Sequence, residues 1–152
     1  MRKYVLSSLV LAFVLVVSLL SSPVHAGTPE VTHSWDPESG YPFSKAVRVG
    51  HMLYLSGDLG IIPGTMKLAE GGIGPETRQT LENIKATLEE HGSSLSEVVK
   101  CTVFLADIGE WAAMNEVYKT YFPENPPARS ALGTSGLALG ARTEIECIAT
   151  VK

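Results

Sequence analysis

The chain has 152 residues, with 12 Lys and Arg against 16 Asp and Glu and a formal charge of −4. It carries no run of basic residues, so a nucleic-acid backbone is a poor partner. Its length suits one domain with a real core rather than two. The four histidines, His25, His33, His51 and His91, stand at no ligand spacing, which predicts no metal site.

The first 26 residues differ from the rest. Arg2 and Lys3 start a segment that continues as an uncharged run from Val5 to Leu20 and ends in Ser21-Ser22-Pro23-Val24-His25-Ala26. That is the layout of a secretory signal peptide, with cleavage expected after Ala26. The apolar run is shorter than the roughly 20 residues a spanning helix needs. The reading is therefore an exported protein, periplasmic or secreted, with no membrane attachment after cleavage.

Residues 27–43 are rich in Pro, Gly, Ser and charge and read as an irregular lead-in, with Val31-Thr32-His33-Ser34-Trp35 the one strand-like stretch. The ordered domain is expected over 44–152. Lys45–Val49 and Met52–Ser56 flank Gly50-His51, the signal of a hairpin. Ile61 to Gly74 reads as a loop, with room for a short edge strand.

Pro75 is expected to open a helix in which Leu81, Ile84 and Leu88 face the core, with Glu76, Arg78, Glu82, Lys85 and Glu89 on the water side. Gly92 stops it. Val98–Leu105 predicts a strong strand. Asp107 and Glu110 have the spacing of a capping box for a second helix with a Met114, Val117, Tyr118, Tyr121 stripe. Prolines 123, 126 and 127 end that helix, and Thr143–Val151 supplies the last strand. Strands alternating with helices predict one mixed sheet covered on one face by two helices, an α/β (α+β) fold.

Cys101 and Cys147 lie in two of the strand-like runs. Export would allow a disulfide, but their separation fits neither a redox pair nor a zinc knuckle, and the expectation is two buried free thiols.

Arg129 follows Pro126-Pro127-Ala128 on a stiff segment. A planar guanidinium held there suits a carboxylate through two parallel hydrogen bonds. It also fits a solvated loop arginine or a partner for Glu124. Glu144 and Glu146 alternate onto one face of the last strand. A carboxylate beside an enclosed site could position a water; Glu146 reads as a charge on an outer sheet face, and Glu144 fits either role.

Pro42-Phe43-Ser44-Lys45-Ala46, Leu55-Ser56-Gly57, Thr77–Ile84, Val99–Leu105, Asn115-Glu116-Val117-Tyr118, Pro127-Ala128-Arg129-Ser130 and Glu144-Ile145-Glu146 together resemble the Rid (reactive intermediate deaminase, or YjgF) family. The resemblance implies a chorismate-mutase-like fold, a homotrimer with clefts between subunits, and no cofactor. It implies hydrolysis of reactive enamines and imines, such as 2-aminoacrylate, to 2-keto acids and ammonia. Arg129 would hold the substrate carboxylate and Glu144 would orient the attacking water. Phe43, Ser56, Gly57, Asn115 and Ala131 would complete the pocket. Many members have tyrosine where this chain has Phe43, and some have cysteine where it has Ala131. The alternative is a module on the same scaffold that binds a small carboxylate or a protein without turnover. Ribonuclease activity, described for other Rid-like proteins, suits an acidic chain poorly.

Overall fold

A computed structural model describes residues 27–152; the expected signal peptide lies outside the described residues. One mixed sheet carries two helices on one face. Its strands are β1 (Val31–Ser34), β2 (Ala46–Val49), β3 (Met52–Leu55), β4 (Asp58–Leu59), β5 (Val98–Leu105), β6 (Ala128–Gly133) and β7 (Thr143–Thr150). The helices are α1 (Ile73–Glu90) and α2 (Trp111–Tyr121). No helix among the described residues is long and apolar enough to cross a membrane.

The sheet order is β1-β2-β3-β7-β5-β6, with β4 also against β7. All neighbouring pairs are antiparallel except β5 and β6, which run parallel because α2 carries the chain back between them. The hairpin β2–β3 forms where the sequence signals it, and Gly50 at the turn has φ +57°, a conformation that suits glycine. The strand-like stretch in the lead-in pairs with β2 and extends the sheet by one strand. The loop after β4 holds one bridge, Ile61 to Leu68.

Alternation fixes the two faces of the sheet. In β7, Thr143, Ile145, Cys147 and Ala149 are buried beneath the helices. Glu144, Glu146, Ile148 and Thr150 point to the opposite, outer face. The core lies between sheet and helices, with Leu53, Val103, Leu105 and Ile145 from the sheet against Leu81, Ile84 and Leu88 of α1 and Met114 of α2. Helix α1 starts two residues before Pro75 and stops before Gly92, whose φ is +73°.

Three expectations are corrected. Cys101 and Cys147 are joined in a disulfide. They stand directly opposite each other on β5 and β7, with Cα atoms 4.1 Å apart, a proximity set by strand register and invisible in their sequence spacing. Glu76, placed on the water side, is 3% exposed. It lies on the first turns of α1 where the start of β7 passes, and its carboxylate accepts hydrogen bonds from the amides of Arg142 (2.6 Å) and Thr143 (3.1 Å). The capping box forms only in part: Asp107 accepts from the Gly109 amide and starts a short 3-10 turn, while Glu110 pairs with Arg142 instead of reaching back.

Candidate active site

Arg129 sits in β6, not in a loop. Its register partner is Cys101, which faces the helices, so Arg129 faces them too. The guanidinium carbon lies 4.5 Å from the ring centre of Tyr118 and 5.9 Å from that of Trp111, both on α2. Two aromatic faces thus hold the cation by cation–π attraction and limit its motion. Asn115 is one helical turn from Trp111 and from Tyr118, which places it on the same side of α2. Ala131, two residues on from Arg129, shares its face and packs against the core. Among the described residues Arg129 makes no ion pair, with Glu124 or any other carboxylate.

Burial pushes the Tyr118 phenol up to about 12, against the pull of the Arg129 charge, so the ring is neutral at any physiological pH. Its hydroxyl is buried without a partner among the described residues. The aromatic flank was not legible beforehand: Tyr118 sits in the helical stripe as a core residue, and Trp111 precedes that stripe with no motif to mark it.

Glu144 is built into the other face. It stands opposite Phe104 of β5 and Leu59 of β4. Between β3 and β4 the edge beside β7 takes one extra residue: Tyr54 pairs with Ile148 and Asp58 with Ile145, four steps against three. This β-bulge falls at Ser56-Gly57 and turns the chain so that the Gly57 backbone lies under the Glu144 carboxylate. A Cβ added to Gly57 would come 2.0 Å from Glu144 Oε1, so only glycine leaves the carboxylate in this position. Ser56 donates from Oγ to the Ser44 carbonyl at 2.7 Å, tying the segment after Phe43 to the bulge. Burial, with the Glu146 charge on the same face, raises the Glu144 pKa.

Asp58, one residue past Gly57, was not among the expected site residues. It lies on the helix side, register partner of Ile145. Burial raises its pKa to about 6, opposed by hydrogen bonding from Asn83.

The expected residues therefore fall into two half-sites. Arg129, Asn115 and Ala131 gather on the helix side with Trp111 and Tyr118; Glu144, Ser56 and Gly57 gather at the outer face, with Phe43 next to them. Two strand spacings across and three residues along separate Arg129 from Glu144, about 14 Å between backbones. Their side chains also leave opposite faces, so one chain does not bring them together.

The fold is a single-sheet α/β domain with a half-site on each face of the sheet. The family profile described as Endoribonuclease L-PSP matches residues 34–151. The chain belongs to this family, the Rid (YjgF) family that its motifs resemble. It is 47% identical over 108 residues to a RutC family protein of Pyrococcus horikoshii, covering 71% of this chain and 86% of that one. It is 43% identical over 108 residues to the 2-iminobutanoate/2-iminopropanoate deaminase of Homo sapiens, covering 71% and 79%. The crystal structure of RidA from an Antarctic Psychrobacter bacterium superposes with a TM-score of 0.71 at 40% identity, covering 82% of this chain and 99% of that one.

Proposed function

We propose that this protein is a hydrolytic deaminase of reactive imines and enamines, acting in clefts between the subunits of a homotrimer. The observation that carries the reading is the pair of half-sites on opposite faces of one sheet, in a chain similar to named imine deaminases. A ring assembly brings a different surface of each subunit against its neighbour. The Arg129 side of one subunit then meets the Glu144 side of the next.

In this cleft Arg129 holds the substrate carboxylate through two parallel hydrogen bonds, already oriented by Tyr118 and Trp111. The carbon of a protonated imine is electrophilic as it stands. Glu144, held over Gly57, orients a water toward it and takes its proton. The C–O bond forms, Glu144 passes the proton it took to the nitrogen, and as the new hydroxyl gives up its remaining proton to form the carbonyl the C–N bond breaks, releasing ammonia and a 2-keto acid. The raised pKa of Glu144 brings it nearer to the pH at which it works as a base.

Export is part of the proposal, from the N-terminal segment of the sequence. An oxidising compartment would preserve the Cys101–Cys147 disulfide. Despite the family's ribonuclease title, the excess of acidic over basic residues argues against RNA as substrate.

The test is to generate imino acids with an amino-acid oxidase and follow their loss with and without the protein. Acceleration that disappears in Arg129→Ala supports the reading. No acceleration, or full acceleration by the variant, overturns it. Tight keto-acid binding without turnover would favour the non-catalytic module instead.

A further inference from the structure

Beside the Glu144 half-site lies an aromatic cluster that extends past Phe43 to residues the hydrolysis does not use. Trp35, Tyr41 and Phe43 are 55%, 46% and 52% exposed and form one aromatic cluster at the surface. Their rings are held in place: the Trp35 indole donates to the Tyr41 carbonyl at 3.2 Å, and the Tyr41 and Phe43 rings stand 5.2 Å apart. The Tyr41 hydroxyl meets the Met66 sulfur at 3.8 Å. A cavity of about 260 Å³ opens here, lined by His33, Trp35, Pro42, Phe43 and Ser44.

Exposed rings fixed in advance mark a place where something apolar binds. Two observations say what. First, His33 pairs with Val47, Val47 with Tyr54, and Tyr54 with Ile148, so this side chain belongs to the sheet face that carries Glu144. Second, the rim of the cavity is tied to the half-site through the backbone, because the Ser44 carbonyl takes the Ser56 hydroxyl and Gly57 follows under Glu144. Two strand spacings across and two residues along, about 12 Å, separate Ser44 from Glu144. A methyl group on the reacting carbon falls short of that distance, whereas a benzyl or indolylmethyl group reaches toward it. The volume is below the roughly 300 Å³ at which pockets for whole drug-sized ligands begin, and suits one ring with its stem.

We propose that this cavity is the side-chain subsite of the enzyme, and that it selects 2-imino acids bearing aromatic side chains. The inference rests on the imine-deaminase reading and names its substrate class. Phe43 forms the wall nearest the reacting carbon, Trp35 the far wall, and His33 with Ser44 a polar rim.

The experiment compares kcat/KM for imino acids formed in situ from phenylalanine, tryptophan and alanine, with the wild type and Trp35→Ala. Ring stacking predicts that the wild type favours the aromatic imines by about tenfold over the alanine-derived one, and that Trp35→Ala removes most of that ratio. Turnover of the alanine-derived imine with no aromatic preference, or a ratio unchanged in the variant, overturns the subsite and leaves the deaminase reading standing. Failure to turn over any of the three overturns both. Light scattering on the same samples adds a separate check: if Trp35→Ala dissociates the assembly, the rings belong to a subunit contact and the subsite is wrong.

Discussion

Glu76, on the first turns of α1, accepts the amide hydrogen of Thr143 at 3.1 Å, at the residue that begins β7 and immediately precedes Glu144. The same oxygen takes the Arg142 amide at 2.6 Å, so one buried carboxylate ends the loop after β6 and starts the strand that carries Glu144. Two amides bonded to a charged group lose their partner in Glu76→Ala, at a cost of about 2–4 kcal/mol. Denaturant unfolding should show that loss, and Glu76→Gln, which keeps one acceptor oxygen, should recover more than half of it.

Gly57→Ala separates activity from stability. The new methyl displaces the end of the Glu144 side chain, which can swing away at little cost to the fold. Stability should change by less than about 1 kcal/mol while kcat/KM falls by at least about tenfold. A variant that keeps full activity would mean that the close approach of Gly57 to Glu144 has no catalytic purpose.

Asp58 gives a pH signature. Its folded-state pKa is raised from 3.8 to about 6 by burial, so the folded protein holds its proton more tightly than the unfolded chain does. The contribution is fully present below 3.8 and is lost as pH rises through about 6. Asp58→Asn should therefore be more stable than the wild type at pH 7–8, by about 1–3 kcal/mol, with the difference vanishing toward pH 4. Thermal melts across that range measure it directly.

The disulfide closes a loop with a sequence separation of 46. Chain-entropy arguments give such a bond roughly 2–4 kcal/mol of stabilisation. Unfolding with and without a reductant should show a loss of that size, and a Cys101→Ala/Cys147→Ala pair should behave like the reduced protein.

Much of this architecture is written in local pattern. The strand Val98–Leu105 has its expected bounds, and the hairpin around Gly50 and the last strand from Thr143 match to within a residue or two, because each is long or carries a turn residue. Alternation alone placed Glu144 and Glu146 on one face. What stayed hidden depends on register. Strand β6 is half exposed and follows two prolines, so its sequence left a loop position for Arg129 open, and its face is set only by its pairing with Cys101. The same register joined the two cysteines. Asp58 belongs to a strand of two residues, too short to leave a pattern. Glu76 reads as polar and therefore wet, because helical spacing cannot reveal that the start of β7 covers that turn.

The central claim, a site shared between two subunits, is tested most directly by mixing inactive variants. Arg129→Ala and Glu144→Gln should each lose at least about a hundredfold in activity alone. Unfolded together and refolded in equal amounts, they form mixed trimers in which some clefts receive an intact arginine from one subunit and an intact glutamate from its neighbour. Random assembly of a ring predicts recovery of roughly a quarter of wild-type activity. No recovery, in a mixture shown by light scattering to have reassembled, would contradict the shared site.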